Sequence, residues 1–251
     1  MKYSCKGVTR LKPDPGQQVL LNLLYHYLGV TGRPAVPVEL RALADGFGQS
    51  FKGRPLIELL QKDQRFLCRE GQWGLASWQA YTAVDVETTG LSARDNRITE
   101  IALVKLWGTH VVEKWSSLVN PCCPIPPYIV RLVGIDDEMV AAAPLFEELI
   151  PTIRDFVGAS TILAHNAPFD RGFIAAEFGR AGQRPLTNPW LDTVTIARKL
   201  LPHLPNRKLV TVAEYFGISC AGHHRAMADA LMVAGIFAEM TTLKESAQAL
   251  G

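Results

Sequence analysis

The chain has 251 residues, enough for one large domain or two ordinary ones, and 48% of them are apolar, so a sizeable core can be buried. Its five cysteines form no C-x-x-C pair, which argues against a disulfide framework and against a zinc site of that type. No run of eighteen apolar residues occurs and the first thirty residues lack a signal-peptide pattern, so we expect a cytoplasmic protein with no membrane partner.

Charge divides the chain into two parts. Residues 1–79 hold 11 Lys and Arg against 6 Asp and Glu, whereas residues 80–251 hold 15 against 18. This asymmetry predicts two domains, 1–79 and 80–251. Divalent ions bound to the second domain would offset its negative charge, so that it could meet a polyanionic substrate beside a basic module.

The first domain is predicted to contain three helices followed by a hairpin. The predicted helices span about residues 17–28, 37–44 and 55–61, and the strands span 65–69 and 72–76. Gly29 is expected to end the first helix, and Pro55 stands at a plausible first-turn position of the third. Glu70-Gly71 supplies the turn between the strands.

This order of elements resembles a small winged helix–turn–helix domain. Such a domain contacts DNA through its third helix and its wing. The basic residues available for that contact are Arg54, Lys62, Arg65 and Arg69. The alternative is a module that docks on another protein, and the net charge slightly favours nucleic acid.

The second domain is predicted to be an α/β domain around one sheet, because mixed strands come first and strands then alternate with helices. The predicted strands span residues 81–87, 98–107, 110–119, 161–164 and 190–191, and the helices span 146–157, 168–178, 192–201, 209–216 and 225–240. Residues 121–127 are predicted to form a Pro-rich loop.

The first strand of this domain carries two carboxylates on one face. Side chains alternate along a strand, so Asp85 and Glu87 share a face with Ala83. Val84 and Val86 point to the other face. Two carboxylates at such a short separation repel each other, and each is costly to desolvate, so a cation is expected between them. The alternative is an exposed strand end with two solvated acids.

Two later segments add acidic residues at the edges of apolar elements. Asp170 follows the apolar strand 161–164, and Asp229 lies near the start of the last helix. Three separated acidic segments predict a carboxylate cage for two metals. Oxygen ligands alone favour hard ions such as Mg²⁺ or Mn²⁺.

Together these segments resemble the DEDDh (DnaQ-like) 3′–5′ exonucleases, a group that includes the proofreading epsilon subunit of bacterial DNA polymerase III. The matching motifs are Asp85-x-Glu87 with Thr88-Thr89-Gly90, then His165-Asn166-Ala-x-Phe169-Asp170, then His224-x-Ala226-x-x-Asp229. The resemblance covers about residues 80–241, and three motifs in the family's order are highly specific. It implies a ribonuclease-H-like mixed sheet flanked by helices, here preceded by the winged-helix-like domain.

The resemblance implies a metal-dependent enzyme that hydrolyses the terminal phosphodiester of single-stranded or frayed DNA. Two Mg²⁺ or Mn²⁺ ions would be held by Asp85, Glu87, Asp170 and Asp229, with Asp85 bridging both. His224 would act as the general base. His223 competes for that role, but only His224 fits the family's five-residue interval to Asp229.

The resemblance also implies a substrate-binding surface. The residues assigned to it are Thr88, Thr89, Gly90 and Leu91, which follow the first strand, and Asn166 and Phe169. Leu91 would pack on the terminal base, whereas Phe169 has core packing as an alternative. Asp192 is expected to cap a helix. Glu100, on a strand near the site, is expected either to support the metal ligands without binding metal or to be structural, and His165 is expected to be structural.

Two other functions fit the same motifs. The first is trimming of RNA 3′ ends, and the second is a DNA-binding regulator or scaffold whose nuclease core is idle. A DNA polymerase or a repair protein is the expected protein partner. The residue before Gly134 departs from the family pattern, because Val133 stands where Thr or His is common.

Overall fold

The computed structural model describes residues 15–46, 56–69 and 71–249. The chain divides into two compact units, Met1–Trp78 and Gln79–Gly251. Each unit has its own hydrophobic core. Arg54 and Pro55, to which the sequence assigns a DNA contact and a helix start, lie outside the described residues.

The first unit contains helices and a hairpin in the predicted order. Its described elements are α1 Pro15–Thr31, α2 Pro37–Asp45, α3 Leu56–Lys62, β1 Phe66–Arg69 and β2 Gln72–Leu75. The two strands pair antiparallel, and Ala35 adds an isolated antiparallel bridge to Trp73. Leucines of all three helices pack on Trp73 and Leu75 of the hairpin. The winged-helix assignment itself stays a prediction.

The first helix is longer than predicted, and the prediction that Gly29 ends it was wrong. Helix α1 continues to Thr31, whose hydroxyl donates to the Tyr27 carbonyl over 2.9 Å. Gly32 then leaves the helix at φ +63°, and its N–H donates to the Leu28 carbonyl. The left-handed residue that a helix end commonly needs is therefore Gly32, three residues after Gly29.

The second unit is built on a mixed five-stranded sheet with the order β5-β4-β3-β6-β7. Its strands are β3 Ala80–Thr88, β4 Ile98–Trp107, β5 His110–Leu118, β6 Thr161–Ala164 and β7 Trp190–Asp192. β3 is antiparallel to β4 and parallel to β6, so it lies where the sheet changes direction. The prediction of a mixed sheet flanked by helices is confirmed.

Seven described helices accompany this sheet. They are α4 Pro127–Val133, α5 Asp137–Ala141, α6 Phe146–Val157, α7 Ala167–Arg180, α8 Thr193–Leu200, α9 Leu209–Tyr215 and α10 Ala226–Ala249. Helices α4 and α5 were missed, because each is shorter than two full turns and carries little periodic signal. Together they enclose a small core of their own that includes Ile129, Val133 and Val140.

The two faces of strand β3 pack against different helices. Val84 and Val86 pack with Ile150 of α6 and Phe173 of α7. On the other face, Ala83 packs with the core that includes Ala230 of α10. Because side chains alternate, Asp85 and Glu87 share the α10 face with Ala83, as predicted.

Helix α10 contains one segment, Ala226–Lys244, that is long and apolar enough to cross a membrane by length and composition. Half of that segment is buried inside the protein. Core helices pass the same test, and the apolar residues Val233 and Phe237 of this one pack on the sheet. Its burial therefore accounts for its composition.

Candidate active site

Three carboxylates converge at the carboxyl end of β3. One carboxylate oxygen from each of Asp85, Glu87 and Asp229 lies within 4.8 Å of the other two. Asp85 and Glu87 come from the strand, and Asp229 comes from the first turn of α10. Asp85 is half-buried, whereas Glu87 and Asp229 are buried. The structure thus joins two segments that are more than 140 residues apart in the sequence.

Asp170 joins this group from another direction. It lies buried in the first turn of α7, and its Oδ1 accepts the Val86 N–H over 3.2 Å. That bond fixes the carboxylate beside the strand segment between Asp85 and Glu87. The negative charge of Asp170 is, after burial, the largest cause that raises the pKa of Asp85. All four predicted metal ligands are therefore close enough to act on one another.

Burial and mutual repulsion dominate the electrostatics of the cluster, and the charge of Arg225 lowers the pKa of Glu87 only in part. Burial, and then the charge of Asp229, raises the pKa of Glu87 to about 8. Burial also raises the pKa of Asp170 to about 8, and that of Asp85 lies well above its usual value. Among the described ion pairs, none gives Asp85, Glu87 or Asp170 a Lys or Arg.

This donor set fits a hard divalent cation. Its ligand atoms are carboxylate oxygens, which Mg²⁺ and Mn²⁺ prefer. A cation among them would favour the ionised form of each carboxyl group and so offset the repulsion that raises their pKa values. The cluster can therefore hold the metals that the sequence predicts.

Two histidines precede α10 in a turn. His224 has a left-handed backbone with φ +70°, and its ring stacks on that of His223 with centroids 3.8 Å apart. Nδ1 of His223 lies 3.0 Å from both carboxylate oxygens of Asp229. His224 reaches Asp229 only through its backbone N–H, at 3.4 Å. The predicted base thus lies in the expected turn, but the ring that contacts Asp229 belongs to His223.

Glu100 is structural, as predicted. It stands opposite Glu87 on β4. Two of its contacts join its carboxylate to the Arg225 guanidinium, at 2.8 and 3.1 Å, and a third comes from the Ala226 N–H at 3.0 Å. Glu100 therefore anchors the start of α10, which carries Asp229, and Arg225 compensates its charge.

The turn after β3 has a tightly fixed backbone. The Thr88 hydroxyl donates to the Gly90 carbonyl over 2.6 Å, and the Thr89 N–H donates to the Arg97 carbonyl. A Cβ at Gly90 would lie 2.5 Å from Oδ1 of Asn96, so a larger residue here would displace the Asn96 side chain. Leu91 follows with 84% of its surface exposed. The turn thus presents an apolar side chain to solvent four residues after Glu87.

The comparison with known families decides the identity of the second unit. A family model described as Exonuclease (RNase_T) matches residues 82–237, more than half of the chain. The chain belongs to the exonuclease family. The predicted resemblance to DnaQ-like DEDDh exonucleases is confirmed.

Relatives of this exonuclease include bacterial proteins named DNA polymerase III PolC-type. The DNA polymerase III PolC-type protein of Bacillus cereus is 33% identical over 210 residues, covering 80% of this chain and 15% of the relative. That of Clostridium perfringens is 43% identical over 156 residues, covering 62% of this chain and 11% of the relative. The exonuclease therefore matches only a small part of the length of these polymerases.

Solved structures agree with the fold of the exonuclease. Exonuclease X in complex with 5′-overhanging duplex DNA matches with a TM-score of 0.54 and 28% identity, covering 64% of this chain and 91% of that chain. E. coli exonuclease I in complex with a dT13 oligonucleotide matches with a TM-score of 0.61 and 21% identity, covering 68% and 43%. The predicted ribonuclease-H-like fold is confirmed.

Two predicted substrate residues of the exonuclease also have contacts within the protein. Asn166 precedes α7 in a left-handed conformation, φ +72°, and its N–H donates to Oδ1 of Asp192. Asp192 also accepts the Val194 N–H over 3.0 Å, so its predicted capping role is confirmed. Phe169 packs against the Phe173 ring at 4.9 Å, as the core-packing alternative requires.

His165 is structural in the exonuclease, as the sequence predicts. Its Nδ1 lies 2.9 Å from the Thr193 hydroxyl, and its Nε2 lies 2.7 Å from the Arg207 carbonyl. Both ring nitrogens are therefore used to join β6 to α8 and to the loop before α9. This ring does not belong to the metal-binding group.

A cluster of charged side chains that no sequence motif indicated holds the loop after β3. It consists of Arg97, Glu177 and Arg180 and is named here the Glu177 clamp. Glu177 of α7 is only 2% exposed and binds Nε of Arg97 at 2.8 Å and Nη1 of Arg180 at 3.2 Å. Arg180 also donates to the carbonyls of Ala93 and Arg94. The same helix thus carries Asp170 and fixes residues 89–97. No local pattern signals a pair that is 80 residues apart.

Proposed function

We propose that this chain is a metal-dependent 3′–5′ exonuclease that releases nucleoside monophosphates from single-stranded or frayed DNA, in proofreading or repair. The observation that carries this proposal is the group of converging carboxylates around Asp85, three of which, Asp85, Glu87 and Asp170, form no ion pair with Lys or Arg among the described residues. A structural cluster would be paired, as Glu100 and Glu177 are. Unpaired buried carboxylates are typical of metal sites.

The ligand roles follow from the positions of the four acids. Asp85, Glu87 and Asp229 would hold one divalent ion, since their oxygens already lie within 4.8 Å of one another. Asp170, with Asp85, would hold a second. When bound, two such ions neutralise the charge of the phosphate and make a water molecule more acidic.

His224 would remove the proton from the attacking water. Burial, and then the neighbouring His223, lowers the pKa of His224, so its ring is neutral and able to accept a proton near neutral pH. The turn before α10 carries the ring next to Asp229 without using it as a ligand. Leu91 would pack on the terminal base, and the fixed turn of Thr88, Thr89 and Gly90 would position it.

DNA is the favoured substrate because of the relatives. They are named as DNA polymerases, and exonuclease X and exonuclease I have been solved with DNA and with a DNA oligonucleotide. Trimming of RNA 3′ ends is the second candidate, because the matching family model carries the name RNase_T. A two-metal site of this kind acts on the phosphodiester, which both polymers share.

Cleavage of end-labelled oligonucleotides tests the proposal. With Mg²⁺ or Mn²⁺, 5′-labelled single-stranded DNA should give a ladder that shortens with time, and 3′-labelled DNA should release labelled mononucleotide at once. Asp85→Ala should abolish both. No ladder, or a ladder that survives Asp85→Ala, would defeat the proposal. The same assay on RNA of matched sequence decides between the two substrates.

A DNA polymerase is the favoured protein partner, and we propose the first unit as the contact. Arg65, a predicted DNA contact, is engaged inside the unit by Asp63 at 2.6 Å and by Asn22 at 2.8 Å. Val30 and Val38 are each 71% exposed there. Pull-down with a purified PolC-type polymerase, using the wild-type chain and Val38→Asp, checks this: the wild type should bind and the variant should not.

A further inference from the structure

A second group of potential metal ligands lies at the start of α10. It consists of the rings of His223 and His224 and the carboxylate of Asp229, and is named here the imidazole cluster. One ligand atom from each of these residues lies within 4.8 Å of the other two. It shares Asp229 with the carboxylate group but otherwise uses different residues and different donor atoms.

We propose that the imidazole cluster binds a divalent transition ion such as Zn²⁺ or Co²⁺, and that this ion inhibits the nuclease. The inhibitory part rests on the proposed function, whereas the binding site does not.

The geometry needs little change to accept an ion. Nδ1 of His223 lies 3.0 Å from both oxygens of Asp229, and the two rings stack with an angle of 28° between their planes. In a tetrahedral site with metal–ligand bonds of about 2.0–2.2 Å, ligand atoms stand roughly 3.3–3.6 Å apart. The His223–Asp229 pair is therefore within about half an ångström of that spacing.

The surroundings also leave the site open to solvent. The side chains of His223 and Asp229 are 30% and 7% exposed, so an ion can enter from the imidazole side. Water can complete a coordination shell of which the protein supplies three donors. The left-handed backbone of His224 brings its ring onto that of His223, which gathers both imidazoles on one side of Asp229.

Donor chemistry separates this cluster from the carboxylate group. Two imidazole nitrogens and one carboxylate oxygen suit Zn²⁺ and Co²⁺. Mg²⁺ prefers oxygen ligands and loses its water reluctantly, so it favours the group of Asp85 and Glu87. The two groups therefore select different ions, although they share one residue.

The shared carboxylate makes the two sites antagonistic. An ion held by His223 and His224 would draw Asp229 away from Asp85 and Glu87. It would also occupy the ring nitrogen with which His224 is proposed to accept a proton. A transition ion in the imidazole cluster would thus remove one ligand and the base together, and raising the concentration of Mg²⁺ should oppose it.

Binding is tested first with Co²⁺ alone, because its visible absorption reports coordination without any reaction. The full chain should give a saturable spectrum with nitrogen ligation. His223→Ala should weaken Co²⁺ binding at least about tenfold, since it removes one of three protein donors. Asp85→Asn, which alters only the carboxylate group, and His203→Ala, which removes an imidazole outside the cluster, should keep the nitrogen-ligated Co²⁺ spectrum of the wild type.

Unchanged Co²⁺ affinity in His223→Ala would overturn the proposal, and so would loss of the spectrum in Asp85→Asn. The inhibitory part is tested by adding Zn²⁺ to the Mg²⁺-dependent reaction and dividing each rate by the same variant's rate without Zn²⁺. Wild type should lose most of its rate, while His223→Ala should need roughly tenfold more Zn²⁺. Equal sensitivity would overturn this part. Absence of any Mg²⁺-dependent rate would refute the proposed function, and the Co²⁺ titration would still test the site.

Discussion

Two groups of acids in the second unit differ in whether an arginine pairs with them. Glu100 and Glu177 each bind an arginine at 2.8 Å, and their neighbours donate further backbone hydrogen bonds. Asp85, Glu87 and Asp170 have no such partner among the described ion pairs, and their pKa values are raised. The paired acids are compensated by their arginines. The unpaired ones repel one another when ionised, and a bound cation would offset that repulsion.

The difference predicts how each group should respond to substitution. A paired carboxylate costs stability when its partner is lost, because a buried charge is then left uncompensated. An unpaired cluster should respond in the opposite way, since removing one of its acids removes repulsion. Substitutions in the two groups should therefore change stability in opposite directions.

The largest effect is expected from Asp85→Asn. This variant should lose exonuclease activity by on the order of a thousandfold or more, because metal-assisted charge stabilisation contributes several kcal/mol to the transition state. Without metal and at a pH above the raised pKa values of the cluster, its melting temperature should rise by about 2–4 °C, since a repulsive charge is gone. Rates on labelled DNA and calorimetry measure the two effects. A stable, fully active variant would refute the role of Asp85.

Next in size is the pH dependence of the metal-free protein. The pKa values of Glu87 and Asp170 are raised to about 8 when folded, so the folded state keeps protons that the unfolded state releases. Stability from these groups is thus fully present below their unfolded pKa values, near 4, and is lost as pH rises to about 8. Urea unfolding between pH 5 and pH 8.5 in EDTA measures it.

Metal should reverse this trend. Saturating Mn²⁺ at pH 8 should stabilise the wild type strongly, because the ion favours the ionised carboxylates in the folded state only. The double variant Asp85→Asn, Asp170→Asn should show a stability that depends less on pH and responds little to Mn²⁺. A wild-type protein whose stability rises between pH 5 and pH 8 without metal would contradict the assigned repulsion.

Glu177→Gln should change stability in the opposite direction to Asp85→Asn and should reduce activity much less. The loss of this 2%-exposed carboxylate leaves Arg97 and Arg180 without their partner, but both arginines are partly exposed. We expect a loss of about 2–3 kcal/mol in the free energy of unfolding. Because the Glu177 clamp fixes residues 89–97, KM for DNA should rise more than kcat falls.

The matched control for this variant is Glu239→Gln, an exposed glutamate on α10. Its free energy of unfolding should change by less than about 0.5 kcal/mol. Urea unfolding and steady-state kinetics measure both variants. If Glu177→Gln proved as stable as Glu239→Gln, the clamp would not hold the loop.

The smallest effect is expected from Leu91→Ala. Leu91 is 84% exposed, so its loss should hardly change the melting temperature. If the side chain packs on the terminal base, KM should rise about three- to tenfold, as expected for about 1 kcal/mol of lost contact. Val111→Ala, on β5 at the opposite end of the sheet, removes a similarly apolar exposed group and should leave KM unchanged. Equal KM values for the two variants would remove Leu91 from the substrate surface.

The sequence predicted those residues of the candidate site that belong to short motifs. Asp85 and Glu87 were found because a buried strand rarely carries two acids on one face, and Asp170 and Asp229 because their motifs follow in a familiar order. The Glu177 clamp was not found, since Arg97 and Glu177 meet only after α7 has packed on the sheet. The contact of His223 with Asp229 was also missed, because sequence spacing favoured His224 and gave no information on ring direction.

The fold shows the same division. A mostly apolar segment that ends before the Gly108-Thr109 turn gave β4 as Ile98–Trp107, the bounds found in the structure. The short helices α4 and α5 were missed because so few residues carry little periodic signal. Their apolar residues pack in a separate small core. Helix α1 passed through Gly29 because a single glycine costs only about 1 kcal/mol in a helix, which buried leucines easily offset.

Titration of Mn²⁺ into the metal-free chain, followed by calorimetry or by electron paramagnetic resonance, tests the central claim most directly. Two ions should bind per wild-type chain, and Asp85→Asn should lose at least one of them, because Asp85 is shared between both proposed sites. Absence of saturable binding, or binding that is the same in Asp85→Asn, would contradict the claim that these unpaired carboxylates form a metal site.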